Sequence, residues 1–334
     1  MRLAVLGAGA VGARVVRQLV MSSGVHPVAV ADRDRALAGR VADAVGDPVQ
    51  SRDVGDLSWA DGADVAVLAH PGGHHGEVAG RLVAEGVSVV SVSDDLVDVV
   101  ALLALDAEAN RRGVVVAAGA GFAPGLTCLL AGHAAATFDQ VDEVHVAKTG
   151  TGGPACARGY HQAWRGDSQD WRDGQWVRRT GGSGRELCWF PDPVGSQDCF
   201  RAAAADPLVL VPAFPGVGRV TSRVGASRRD RISAHLPMLR RPHREGTLGA
   251  IRVEVRGRRA GAHGTVVLGA IDRPAVAAGA VAALVAVALG SGQVRRTAAG
   301  GVAELVEDRP AFLAELARRG VKVATFDGAS SGLT

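Results

Sequence analysis

Three glycines, Gly7, Gly9 and Gly12, stand in the spacing G-x-G-x-x-G at the start of the chain. They follow an apolar run, Arg2 to Leu6, that reads as a buried strand, and they open an amphipathic stretch, Val11 to Met21, that reads as a helix. A strand, a tight glycine turn and a helix in that order begin a βαβ unit and with it a parallel sheet. Gly7 permits the turn, Gly9 lets a ligand approach the backbone, and Gly12 lets the helix pack against the strand. Ala8, Ala10 and Val11 complete the loop, and the free N–H groups at the helix start favour an anion such as a pyrophosphate. Asp32 follows Gly12 by 20 residues, at the end of the next apolar run, where a carboxylate accepts hydrogen bonds from ribose hydroxyls. Loop and acid together predict a dinucleotide, NAD or NADP. Asp32 repels a ribose 2′-phosphate, whereas its neighbour Arg33 pairs with one, so the choice between the two stays open.

The same alternation continues for about 120 residues. Strands are expected at His26 to Ala31, Val65 to Ala69, Ser88 to Ser91 and Val114 to Ala117, and helices at Arg35 to Ala44, His75 to Glu85 and Val97 to Arg111. After Phe138 the texture changes to β-type runs such as Val144 to Lys148, Val217 to Gly225 and Ile251 to Val255, separated by Gly-, Pro- and Trp-containing loops. The expected fold class is α/β: an N-terminal Rossmann domain on a parallel sheet, then an α+β domain on a mainly antiparallel sheet. The boundaries read as 1–137 for the first domain, completed by part of the tail at about 300–330, and 138–299 for the second. Helices are expected late in the chain at Ala275 to Leu289 and Pro310 to Arg319, and a short run at Val321 to Phe326. Asp272-Arg273-Pro274 reads as the cap of the first of these helices.

Composition excludes several classes. At 334 residues, 47% hydrophobic but only 4% aromatic, the chain is built for cores of Ala, Val and Leu. The net charge of +3 is small. The one basic cluster, Arg228, Arg229, Arg231, Arg240, Arg241 and Arg244, has no aromatic residues interleaved, so it reads as solvated surface and nucleic acid is not an expected partner. Cys128, Cys156, Cys188 and Cys199 lack zinc or redox spacing and read as reduced thiols. The chain starts on a strand rather than a leader, and its most apolar helix is shorter than the roughly 20 residues a bilayer requires. A cytoplasmic protein without membrane association is expected.

Ala69-His70-Pro71-Gly72-Gly73-His74-His75 follows the third strand placed above, on the side where parallel sheets bind ligands, so Ala69, His70, Pro71 and His75 are expected along the nicotinamide side of the cofactor. Three histidines invite a metal, but no carboxylate or Cys accompanies them at ligand spacing, and no metal is expected. Farther on, Gly119-Ala120-Gly121-Phe122-Ala123-Pro124-Gly125-Leu126-Thr127 resembles the saccharopine dehydrogenase-like oxidoreductases, including the carboxynorspermidine dehydrogenase branch. Ala31-Asp32-Arg33-Asp34 and Gly320-Val321-Lys322-Val323 resemble that family too. The resemblance implies a Rossmann domain with an α+β catalytic domain, hydride transfer at a carbon–nitrogen bond of an amino acid or amine, and a homodimer. Ala123 stands where many relatives carry an acidic residue. On its own chemistry the turn reads two ways: Gly121 and Pro124 face the nicotinamide or a substrate carboxylate, or the turn merely joins domains.

Candidates for chemistry in the second domain begin with Lys148, which ends a strand before the loop Thr149-Gly150-Thr151-Gly152-Gly153-Pro154. It is one of only two lysines, with Lys322, among 37 basic residues. Lysine, unlike arginine, can release a proton when desolvated, so Lys148 reads as an acid or base, or as an anchor for a substrate carboxylate. The loop reads as a nest for the same carboxylate. Tyr160, the only tyrosine, and His161 follow closely and read either as site residues or as packing near Trp164. A small carboxylate- or amine-bearing substrate is expected. A polyol dehydrogenase and a non-catalytic NAD(P)-binding protein remain as alternatives with the same fold.

Overall fold

The computed structural model describes residues 1–227, 230, 233, 236, 238, 241–294 and 298–326. Arg228, Arg229, Arg231 and Arg240 of the basic cluster lie outside the described residues, as does the chain after Phe326. The chain divides into two compact units, one made of Met1–Gly125 and Ala275–Glu307, the other of Leu126–Pro274 and the residues from Asp308 onward.

The first unit is a seven-stranded sheet. Its strands are β1 (Leu3–Leu6), β2 (Val28–Ala31), β3 (Val49–Arg52), β4 (Val65–Leu68), β5 (Ser88–Ser91), β6 (Val116–Ala118) and the late segment Ala299–Gly301. They lie in the order 299–301, β6, β5, β4, β1, β2, β3, with every pairing parallel. β1 and β4 are buried at every position, as strands covered on both faces must be. The connecting helices are α1 (Gly12–Val20), α2 (Arg35–Val45), α3 (His75–Ala84), α4 (Leu96–Leu103) and α5 (Asp106–Arg112). Arg2–Leu6, Ser88–Ser91 and the first three helices fall within two residues of their expected limits. The single helix expected over Val97–Arg111 is two, and β3 had no counterpart in the sequence reading.

The late helix Pro274–Gly290 packs on α1: a Cβ on Gly279 would lie 2.5 Å from the Cβ of Arg14. Its Ala and Gly residues allow that close approach. The expected boundaries therefore shift. The Ala-rich helix and Ala299–Gly301 belong with the Rossmann sheet, while the later helix Arg309–Arg318 and strand Lys322–Thr325 belong with the second unit.

The second unit starts with α6 (Leu126–Ala135), which lies against β7 (Gln140–Thr149), β13 (Gly249–Arg259) and β14 (Ala262–Asp272). Between β7 and β13 come α7 (Pro154–Ala163), β8 (Ser168–Arg172), β9 (Gln175–Arg179), β10 (Glu186–Trp189), β11 (Ser196–Phe200), α8 (Asp206–Leu210) and β12 (Arg219–Gly225). The sheet runs β10, β11, β12, β7, β13, β14, 322–325, and β8 with β9 extends from β12. Among the described residues of this unit only the β7–β12 pair is parallel. α6 was expected inside the first domain. Seven of its first seven residues are buried, so it carries no polar face that would have told which sheet it covers.

Candidate functional site

The glycine loop has the shape its spacing requires. Gly7 has φ +105°, and a Cβ there would lie 2.5 Å from the backbone of Ala69 and His70. A Cβ on Gly12 would lie 1.7 Å from the carbonyl oxygen of Gly7. At Gly9 it would meet nothing within 4 Å. The loop is thus closed by backbone contact at two glycines and open at the third. Val11 caps α1 without a side-chain hydrogen bond, and the first turn holds no acidic residue; the Ala13 and Arg14 N–H groups donate to the Gly9 and Val11 carbonyls. Asp32 is tied into this loop: Oδ2 accepts the N–H of Ala8 at 2.7 Å and Oδ1 accepts that of Asp34 at 2.9 Å. Each oxygen keeps a lone pair for a ribose hydroxyl. Arg33 is exposed, and its neighbour Arg35 is paired with Asp53. Asp32→Ala is expected to weaken NADH by about 1 to 3 kcal/mol, the scale of hydrogen bonds to a charged group, and NADPH by less. Fluorescence titration of both cofactors checks this, and unchanged affinity for both removes Asp32 from the site.

Across the sheet from β2, the loop after β4 is held by a buried polar network. Asp98, 2% exposed at the start of α4, accepts the N–H groups of Gly73 at 2.8 Å and His75 at 2.9 Å and the hydroxyl of Ser93 at 2.7 Å. Burial alone would raise its pKa, but these donors hold it below the usual carboxylate range. His75 is wholly buried. Its Nε2 donates to the carbonyl of His70 at 3.0 Å, so its Nδ1, 2.9 Å from Ser91 Oγ, is the acceptor. His70 stacks on it with ring centroids 4.0 Å apart. His74 lies outside the network, exposed and 3.8 Å from Glu77. Among the described residues no three His, Cys, Asp or Glu side chains gather as metal ligands.

Burial pushes the pKa of His75 down to about 4 from an ordinary 6.5. Between those values the unfolded chain binds a proton that the folded one refuses. The stability is therefore present above pH 6.5 and is lost as pH falls toward 4, by up to about 3 kcal/mol. Urea denaturation at pH 7 and pH 4.5 tests this, with His75→Gln expected to flatten the difference.

The turn at Gly119–Gly125 closes on itself. Gly121 N–H donates to the Pro124 carbonyl at 2.9 Å, Ala120 N–H donates to Ser91 O at 2.7 Å, and Gly125 at φ +132° lies against the Gly121 backbone. The division between the units falls directly after it.

In the second unit, Ser222 of β12 is in register with Val146 of β7, and its hydroxyl is 3.4 Å from Asp206 of α8. Asp206 also accepts the hydroxyl of Thr127 on α6 at 2.7 Å. The face carrying Ser222 and Val146 is thus the helix-covered one, and Lys148, two residues on, shares it. Lys148 lies between Val224 and Ile251 in the middle of the sheet and is 9% exposed. The strand runs on to Thr149, so Lys148 is a buried strand residue and not the first residue of a flexible loop. The loop beyond is pinned: Thr151 and Thr247 exchange hydrogen bonds, and Gly150 packs on Gly249. The Tyr160 hydroxyl donates to the carbonyl of Gly225 and its ring packs edge-on to Trp164. Burial pushes its pKa up. His161 Nε2 donates to Leu236 O at 2.8 Å. Asp272 accepts the N–H of Arg273, and burial raises its pKa.

Fold and loop geometry agree with what comparison with known proteins returns. Residues 2–113 match the NAD-binding domain of semialdehyde dehydrogenase. That NAD-binding domain model covers the glycine loop, Asp32, the loop after β4 and Asp98. Over the whole chain the fold is similar to that of apo histidine-tagged saccharopine dehydrogenase (L-Glu forming) from Saccharomyces cerevisiae. The TM-score is 0.70 at 16% identity, covering 97% of this chain and 99% of that one. It is also similar to DAP dehydrogenase of C. glutamicum in complex with DAP, with a TM-score of 0.51 at 17% identity, covering 96% and 99%. None of the curated proteins matches the sequence at a significant level. No helix among the described residues is long and apolar enough to cross a membrane.

Sequence reasoning missed Asp98, Ser91 and Ser93. The signal was there in part: Ser91-Val92-Ser93-Asp94-Asp95 at the end of an apolar run is a dense set of hydroxyls and carboxylates where ligand-side loops begin.

Proposed function

We propose that this protein is an NAD(P)-dependent oxidoreductase that transfers hydride between the nicotinamide and a carbon–nitrogen bond of a small amino acid or amine. The observation that carries the cofactor half is the open space at Gly9 between two glycines that admit no side chain, with Asp32 anchored to the same loop. Gly7 to Gly12 hold the pyrophosphate and Asp32 the adenosine ribose. Bound there, the nicotinamide accepts or supplies the hydride at C4. The substrate half is supported by the fold shared with an L-Glu-forming saccharopine dehydrogenase and a DAP dehydrogenase. Lys148 fits the accompanying proton transfer: it is a lysine buried on a central strand, and lysine, unlike arginine, can serve as acid or base. Tyr160 fits a packing role better, because its proton already has an acceptor in Gly225.

Panels of amino acids, amines and polyols, followed by NAD+ and NADP+ reduction, test the reaction class. Turnover on polyols alone would reassign the substrate, and cofactor binding with no turnover on any panel would make the protein a non-catalytic NAD(P) binder. We further take it to be a cytoplasmic protein and a homodimer; sedimentation of the purified protein checks the dimer, and fractionation of the source cells checks the location.

A further inference from the structure

We propose that Nε2 of His70 is the acceptor for a hydrogen bond from the nicotinamide half of the bound dinucleotide, a ribose hydroxyl or the carboxamide N–H. The proposal rests on the cofactor reading above and adds to it an atom and a direction of donation. Nδ1 of His70 is 2.9 Å from the carbonyl oxygen of Pro71. A carbonyl only accepts, so Nδ1 carries the proton and Nε2 presents a lone pair. Burial lowers the pKa of the ring, with Asp98 opposing and His74 and Arg33 adding to the effect, so the ring is neutral near pH 7. Nε2 is buried and has no hydrogen-bond partner in the structure. Every other polar atom of the network is matched: His75 has Ser91 and the His70 carbonyl on its two nitrogens, and Asp98 has three donors. A lone pair that has lost its water and gained no donor is an exception in a native fold, and it is restored by a ligand that brings one.

The fold says which ligand atoms these are. Strand order in the sheet is β4, β1, β2. Asp32 ends β2 and the glycine loop ends β1, so a dinucleotide with its adenosine at Asp32 and its pyrophosphate on the loop extends toward the end of β4. His70 is there: its backbone nitrogen lies 2.5 Å from where a Cβ on Gly7 would be. The pyrophosphate carries no donor at neutral pH, whereas the ribose hydroxyls and the carboxamide of the nicotinamide half do.

Asparagine and glutamine separate the two ring nitrogens, since the asparagine amide overlays Nδ1 and the glutamine amide overlays Nε2. Calorimetric titration of the full chain with NADH, NADPH and ADP reads the result. His70→Asn is expected to bind the preferred reduced cofactor about tenfold more weakly, the worth of one hydrogen bond, and ADP unchanged, because ADP lacks the nicotinamide half. His70→Gln is expected to stay within about threefold of the parent for both, as its oxygen replaces the acceptor. In the parent protein the Nε2 nitrogen resonance of His70 is expected to move with NADH and not with ADP. Parent affinity for the cofactor in His70→Asn, equal loss of ADP and cofactor, or a resonance indifferent to NADH each overturns the proposal. If the parent itself binds neither NADH nor NADPH, the cofactor reading fails first.

Discussion

Lys148→Met is expected to cut turnover by about 10²- to 10⁴-fold while leaving cofactor affinity close to that of the parent, the usual worth of a positioned acid or base. The expectation rests on where the residue lies. Lys148 is 9% exposed on the helix-covered face of the second sheet, between Val224 and Ile251. A lysine side chain, unlike that of arginine, is of the type that can hand a proton back and forth. Lys148→Arg keeps the positive charge but cannot release it. If Lys148 moves the proton, the arginine variant fails nearly as badly as the methionine one. If it anchors a carboxylate, arginine retains much of the activity and the loss appears in KM. The measurement is kcat and KM on the best substrate from the amino acid and amine panels. Parent turnover in both variants would sink the assignment and turn the search for an acid to the residues around His70.

Gly9→Val is expected to abolish detectable NADH and NADPH binding while leaving the thermal midpoint where it was. No atom lies within 4 Å of a Cβ at that position, so the folded chain accommodates the side chain, but it fills the space the pyrophosphate needs. Gly12→Ala is the contrasting case. Its Cβ would lie 1.7 Å from the Gly7 carbonyl, a collision with backbone that no rotamer relieves. That variant is expected to lose several kcal/mol of stability and to bind no cofactor because the loop is gone. Calorimetry on the two variants separates occupancy of the site from integrity of the fold. A Gly9→Val protein that binds NAD(P)H normally removes the dinucleotide from this loop.

The Rossmann half was legible because β1 and β4 are buried at every position and appear as unbroken apolar runs. β3 was not, since only Val49 of its four residues is buried and Gln50, Ser51 and Arg52 face solvent at the sheet edge. The break between α4 and α5 was hidden for another reason. Asp106, which opens α5, accepts the N–H of Ala299 at 2.9 Å, a partner 193 positions away that no local pattern announces. Ala299-Gly300-Gly301 itself has little strand propensity and is a strand only because it pairs with β6. In the site, Gly7, Gly9, Gly12 and Asp32 were readable because spacing alone brings them together. Asp98 was not, because its partners Gly73 and His75 reach it from another helix start, and the direction of a side chain into a loop is a tertiary fact. Lys148 stood out by its rarity, but its burial between β12 and β13 came only from the strand pairing on both sides.

The threading of the chain through its two units has a consequence for how the protein is made. Residues 1–125 leave the ribosome well before the segment 299–301 that lies along β6 and the helix 274–290 that lies against α1. Until then β6 is an open sheet edge, sticky toward other chains. The second unit, whose central strands all lie within 126–274, can form in the meantime. The nascent chain should therefore acquire protease resistance in its middle before its beginning. A fragment cut at residue 125 should aggregate, whereas one that supplies 275–307 in trans should be rescued.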